Sequence, residues 1–216
     1  MSRYKHILFD LDGTITDSFD AVTKSFAYAL EHYGIKVEDR STLLPVIGPP
    51  LREAFMDMFG FDEEKAIEAT EKYRERYKVE FLREHLIYDG IGELLAKLYN
   101  DGFKLYLATA KPISLAEQLM RHFNLDKYFT YLGGASMDKK RDNKIRVLEH
   151  VFEKCDIEKS SAVMIGDRFH DLEGAAYMGI DAIGVTYGFG SFEELAPYNP
   201  VCIAATPEEI YNFLIK

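Results

Sequence analysis

The chain has 216 residues, 47% of them hydrophobic, with 26 Lys and Arg against 36 Asp and Glu and a formal net charge of −10. That much apolar content can bury a full core with a smaller unit beside it, which excludes a disordered chain. The acidic balance, with no basic stripe, excludes non-specific binding to a nucleic-acid polymer and leaves small molecules as the expected partners.

Cys155 and Cys202 each sit within apolar spacing, so two buried thiols are expected rather than a disulfide. No apolar stretch approaches the ~20 residues of a membrane helix. The start Met1-Ser2-Arg3-Tyr4-Lys5-His6 leads straight into an apolar run, so a cytoplasmic protein with no membrane contact is expected.

In chain order, the first signal is Ile7-Leu8-Phe9, a buried strand that ends in Asp10-Leu11-Asp12-Gly13-Thr14. After Thr16, Phe19, Val22, Phe26, Leu30 and Tyr33 recur at helical spacing, and Gly34 stands where a left-handed stop belongs. Leu51, Phe55 and Met58 form a second helix behind Pro49-Pro50 that stops at Gly60. A third, after Asp62, carries Ala66, Ala69, Tyr73 and Tyr77 on one face. Those two tyrosines read as core rather than as ligand contacts.

From about Tyr88 the pattern changes. A helix through Ile91, Leu94, Leu95 and Leu98 meets the turn Asn100-Asp101-Gly102, then the strand Leu105-Tyr106-Leu107-Ala108, then a helix through Leu115, Leu119 and Phe123. The alternation continues through Tyr131-Leu132, a helix over Ile145 to Phe152, strand Ala162 to Ile165, a helix from Leu172 to Met178, strands Ala182 to Val185 and Val201 to Ile203, and a last helix, Glu208 to Leu214. Strands alternating with helices predict an α/β fold with a parallel sheet. Residues 1–15 and 88–216 form this core, and residues 16–87 form an inserted all-α unit. An insertion placed just after the first carboxylates is expected to act as a lid that excludes water.

A second acidic cluster, Gly166-Asp167-Arg168-Phe169-His170-Asp171, follows the apolar run Ala162-Val163-Met164-Ile165 with the same order of strand, then turn. Ligands of open parallel sheets bind outside the carboxyl ends of the strands, so the two clusters can converge on one site. Converging carboxylates need a cation.

These residues resemble those of the haloacid dehalogenase superfamily, in the subgroup with a helical cap that includes phosphoglycolate phosphatase, 5′-nucleotidase-like enzymes and β-phosphoglucomutase. The whole chain is covered, and four motifs stand in order: Asp10-Leu11-Asp12-Gly13-Thr14, Thr109 at a strand end, Lys144 opening a helix, and Gly166-Asp167 with Asp171. The second motif reads Thr109-Ala110-Lys111, where many members carry Asn after the Thr. The resemblance implies a Rossmann-like core and Mg²⁺-dependent phosphoryl transfer through an aspartyl-phosphate, with the cap selecting the substrate.

The chemistry of the residues agrees. A phosphate monoester repels a carboxylate, so Asp10 can attack phosphorus only when cations neutralise the charge around it. Mg²⁺ keeps several waters and takes few protein oxygens, here one from Asp10, the main-chain carbonyl of Asp12, and Asp167. Asp171 serves as a further ligand or behind the first set, or else as the N-cap of the helix through Leu172. Lys144 would hold Asp10 and the phosphate oxygens together, and Thr109 and the Ala110 amide would bind the phosphate. Lys144 is preferred to its neighbours Lys139, Lys140 and Arg141 because it immediately precedes an apolar helical face.

Asp12 would protonate the leaving alkoxide and then activate water. Arg168 and His170 read as ion-pair partners rather than catalysts. In the inserted unit, Arg52, behind Gly48-Pro49-Pro50, is a candidate contact for a substrate anion, with a solvated helix charge as its alternative. The expected activity is hydrolysis of a small phosphomonoester, phosphoglycolate or a nucleoside 5′-monophosphate, by a monomer or weak dimer. A phosphomutase and a non-enzymatic phospho-acceptor are the alternatives.

Overall fold

The structure is a computed structural model that describes residues 2–136, 141 and 143–216. Two compact units divide the chain, Met1–Asp17 with Ile87–Lys216, and Ser18–Leu86. The first unit opens with β1 (His6–Phe9), buried at all four positions, and a two-residue strand, β2 (Thr16–Asp17), follows the turn after it.

The second unit is helical, with α1 (Phe19–Glu31), α2 (Leu51–Phe59) and α3 (Glu63–Glu84), and a 3-10 segment over Arg40–Val46. Its core is aromatic. Phe26 of α1 meets Tyr73 of α3 edge-on at 5.1 Å, and Tyr73, Tyr77 and Phe81 stack one turn apart at 5.2 and 5.4 Å. Residues four apart on a helix lie over one another, so the spacing of these rings dictates the stack. Gly60, in the left-handed conformation at φ 66°, ends α2, and the Asp62 carboxylate caps α3 by accepting the Lys65 N–H at 2.9 Å. α1 ends at Glu31, so Tyr33 lies beyond the helix predicted to include it.

The chain re-enters the first unit at β3 (Leu86–Ile87), which pairs with β2 in a two-stranded sheet. Two-residue strands are too short for any periodic signal, and neither was expected. There follow α4 (Ile91–Asn100), β4 (Lys104–Pro112), α5 (Ile113–His122), β5 (Phe129–Ala135), α6 (Lys144–Lys154), β6 (Ala162–Gly166), α7 (Phe169–Met178), β7 (Asp181–Val185), α8 (Phe192–Leu195), β8 (Cys202–Ala204) and α9 (Pro207–Leu214). Among the described residues, six strands form one parallel sheet in the order β5-β4-β1-β6-β7-β8.

β1 lies at the middle with β4 and β6 as its neighbours, and helices on both faces bury the apolar runs of all three strands. The register places Phe9 beside Leu107 and Ile165, so the ends of β1 and β6 lie level with each other and with Leu107 of β4. One residue further come Asp10, Ala108 and Gly166, and the next step reaches Thr109 and Asp167. β4 runs on to Pro112, past the predicted end at Ala108, and its pairing with β5 slips between Thr109 and Pro112. Cys155 and Cys202 are free and half-buried rather than fully buried.

Candidate active site

Asp10 is the first residue beyond β1, and its N–H donates to the Ile165 carbonyl at 2.9 Å, which continues the ladder and fixes where the side chain starts. The chain then turns through Gly13 at φ 84°. A Cβ there would stand 2.1 Å from Asp167 Oδ2, so both the backbone angle and the missing side chain are required. Asp167 is wholly buried, and its Oδ1 accepts the Thr14 hydroxyl at 3.4 Å.

Asp171 stands in the first turn of α7. It is not the N-cap, because α7 begins at Phe169, ahead of the helix predicted from Leu172. One carboxylate oxygen accepts the Arg168 N–H at 3.2 Å, and the other faces the interior of the site. Asp10, Asp167 and Asp171 together offer ligand oxygens within 4.8 Å of one another.

Lys144 opens α6 behind Asn143, whose side chain accepts the Arg146 N–H at 3.0 Å. Its ammonium is buried, 2.7 Å from both Asp10 Oδ1 and Asp171 Oδ1, and donates to the Ala108 carbonyl at 2.7 Å. Burial alone would lower the Lys144 pKa, but Asp10 and Asp171 outweigh it, so the pKa is raised and the charge is held. Asp167 goes the other way. Burial, with Asp171 and Asp10 beside it, pushes its carboxyl well above the usual range. Asp171 is pushed up to about 6, again chiefly by burial, with Lys144 opposing and Asp10 adding to the rise.

Three buried carboxylates with one ammonium between two of them leave the cluster short of positive charge. The donors are all oxygen, so a hard divalent cation fits both the charge and the chemistry.

Thr109 and Asp12 belong to a second arrangement. Thr109 is buried, and its hydroxyl oxygen accepts the Lys111 N–H at 3.2 Å. The Lys111 ammonium is ion-paired with the Asp12 carboxylate, whose other oxygen accepts the Thr16 hydroxyl at 3.4 Å. Ala110 is exposed between Thr109 and Lys111. The two aspartates of the first motif therefore have different lysines, Lys144 for Asp10 and Lys111 for Asp12.

Arg52 lies in the helical unit and pairs with Glu63 at 3.1 Å, both side chains exposed. The Arg168 guanidinium donates to Glu194 at 2.8 Å, as an ion-pair partner would. Lys139 and Lys140 lie outside the described residues, and the Arg141 N–H donates to the Ser136 hydroxyl.

Two contributions were not foreseen from the sequence. Lys111 is one. The other is the loop after β7, where the Phe189 N–H donates to Asp167 Oδ2 at 2.9 Å and the Tyr187 hydroxyl to the Thr14 carbonyl at 2.9 Å. A Cβ at Gly188 would lie 2.1 Å from the Gly13 carbonyl oxygen, and one at Gly190 would lie 1.8 Å from the Asp167 carbonyl oxygen. The signal was present as Tyr187-Gly188-Phe189-Gly190, a glycine-rich turn directly after an apolar strand.

Residues 7–185 match the haloacid dehalogenase-like hydrolase family, and the chain belongs to it. It is 44% identical over 198 residues to a 5′-nucleotidase of Pseudomonas aeruginosa, covering 92% of this chain and 90% of that one. It is also 38% identical over 210 residues to the tyrosine-protein kinase PtkA of Mycobacterium tuberculosis, covering 96% of this chain and 72% of the relative. The crystal structure of a predicted phosphatase from Clostridium acetobutylicum superposes with a TM-score of 0.93 at 42% identity, over 99% of each chain. The protein is a phosphatase of this family, a phosphoric monoester hydrolase. Among the described residues no helix is long and apolar enough to cross a membrane.

Proposed function

We propose that the protein hydrolyses a small phosphomonoester, a nucleoside 5′-monophosphate foremost, through an acyl phosphate on Asp10 with Mg²⁺ as cofactor. The observation that carries this reading is the buried cluster of Asp10, Asp167 and Asp171, two of which share Lys144, and which has too much negative charge for the one ammonium it contains. The 5′-nucleotidase relative supports the choice of ester.

Asp10, Asp167, the Asp12 carbonyl and Asp171, directly or behind the others, would hold the metal. When bound, Mg²⁺ supplies the positive charge that lets an anionic phosphate approach a carboxylate. Lys144, fixed by three partners, orients Asp10 so that one oxygen can reach phosphorus. The Thr109 hydroxyl and the Ala110 N–H bind phosphate oxygens. As the Asp10 oxygen bonds to phosphorus, the bond to the leaving oxygen breaks and Asp12 gives that oxygen its proton. Asp12 then takes a proton from water, the water oxygen attacks the phosphorus of the acyl phosphate, and phosphate leaves with Asp10 restored. Substrate selection falls to the inserted unit over residues 16–87.

The test is a panel of nucleoside monophosphates, phosphoglycolate and sugar phosphates scored by phosphate released with Mg²⁺. Release from nucleoside 5′-monophosphates that EDTA stops and Mg²⁺ restores is the expected result. Conversion of a sugar phosphate to an isomer without release would instead assign a phosphomutase, and activity that persists in EDTA would remove the metal.

A further inference from the structure

Lys111 is buried, charged and aimed at the site, yet the steps above give it no task. Its placement depends on an irregularity in the sheet. β4 and β5 pair in step from Tyr106 beside Tyr131 to Thr109 beside Gly134, and the next pair is Pro112 beside Ala135, so β4 advances three residues while β5 advances one. An insertion of this kind re-aims a side chain at a strand end.

Gly134 is what accommodates it. A Cβ at Gly134 would lie 2.9 Å from the Lys111 carbonyl oxygen and 2.9 Å from Ile113 Cα. The bulged segment occupies the space where any other residue would carry a side chain. Lys111 is then tied at both ends, its N–H to the Thr109 hydroxyl oxygen at 3.2 Å and its ammonium to the Asp12 carboxylate. The ammonium is nearly buried, while Asp12 is partly open. Lys111 is thus the more deeply buried member of the pair, and Asp12, which also accepts the Thr16 hydroxyl, is the more open one.

Resting on the assignment of Asp12 as the proton donor to the leaving oxygen, we propose that Lys111 is a positioning residue that holds the Asp12 carboxyl in the orientation from which it reaches that oxygen. Its N–H bond couples this orientation to Thr109, so the proton donor and the phosphate-binding hydroxyl are set by one rigid bulge. A flexible carboxyl would spend most of its time elsewhere, and a misplacement of about 1 Å can cost on the order of 10²-fold in rate.

The experiment compares kcat/KM for an alkyl monophosphate and for p-nitrophenyl phosphate in wild type, Lys111→Met, Lys111→Arg, Asp12→Asn and the Asp12→Asn/Lys111→Met double variant. kcat/KM stops at departure of the leaving group, so the later hydrolysis does not blur it. Met keeps the apolar stem and removes the charge. The expected loss in Lys111→Met is about 10- to 100-fold on the alkyl ester and less than about 5-fold on the aryl ester, whose leaving group needs little protonation. Lys111→Arg recovers most of the alkyl activity.

The double variant is expected to be no worse than Asp12→Asn alone, because a residue that acts through Asp12 has nothing to position once the acid is gone. Equal losses on both esters, or losses that multiply in the double variant, would overturn the proposal. If Asp12→Asn itself shows no leaving-group dependence, the parent reading of Asp12 fails instead. Should Lys111→Met fail to melt cooperatively, Lys111→Gln takes its place under the same criteria.

Discussion

Asp167→Asn should stabilise the protein when no divalent metal is bound. Asp167 is wholly buried, and its ligand oxygen lies within 4.8 Å of those of Asp10 and Asp171. Two like charges at that distance, at an effective dielectric constant near 20, repel by about 3 kcal/mol. Protonation of Asp167 relieves part of this, so a gain of about 2 kcal/mol is expected for the variant in EDTA. For a chain of this size that corresponds to a rise in Tm of about 4–8 °C. Asparagine can still accept the Phe189 N–H through its amide oxygen, so the loop contact survives.

The pH dependence follows from burial first and from the same charges second. Asp171 keeps its proton up to about 6 in the fold but releases it near 3.8 when unfolded. Between those values Asp171 binds fewer protons in the unfolded chain than in the fold, so its contribution to the stability of the metal-free protein falls as pH rises through that window. The assay is differential scanning calorimetry of wild type and Asp167→Asn at pH 5 and 7, in EDTA and in Mg²⁺. Mg²⁺ should raise the wild-type Tm and have little effect on the variant, which inverts their order. An Asp167→Asn protein that is less stable in EDTA, or that gains as much from Mg²⁺ as wild type, would refute the reasoning.

Asp10→Asn should abolish turnover with the Tm within a few degrees of wild type, because an amide cannot attack phosphorus; steady-state phosphate release from the purified variant tests it. Gly188→Ala should cost about 1–3 kcal/mol, read from the urea midpoint, because its methyl would stand 2.1 Å from the Gly13 carbonyl oxygen and 2.6 Å from Asp167 Cβ. Mn²⁺ binding followed by electron paramagnetic resonance should weaken in the same variant as Asp167 is displaced. Arg52→Ala should raise KM for anionic natural substrates much more than for p-nitrophenyl phosphate. An unchanged KM would leave Arg52 as a solvated charge paired with Glu63.

The parts of the site that lie at strand ends were legible because the register of a parallel sheet carries them into alignment. Ile7-Leu8-Phe9 and Val163-Met164-Ile165 are uninterrupted apolar runs, which a strand buried on both faces requires, and the residue that ends each run must lie at the sheet's carboxyl edge. The position of Lys144 was legible for a related reason, as a charge that opens an amphipathic helix. Other features depend on contacts between segments far apart in the chain, and a local pattern cannot report those. The helix start at Phe169 moves Asp171 from the cap into the first turn, where its carboxylate accepts a backbone N–H and still faces Lys144.

The glycines make the same point more sharply. Gly13, Gly188 and Gly190 come from two loops, yet each leaves room for a different part of Asp167 or its neighbours. In the sequence they are glycines of two ordinary turns. The Gly134 space filled by Lys111 is a further case, since nothing in Gly133-Gly134 says that a carbonyl from the adjacent strand will occupy it. Close packing around a buried carboxylate selects for missing side chains, and a missing side chain gives no indication of what stands in its place. Residues identified by what they contribute can be read from the chain, whereas those selected for what they leave out become interpretable only once their neighbours are known.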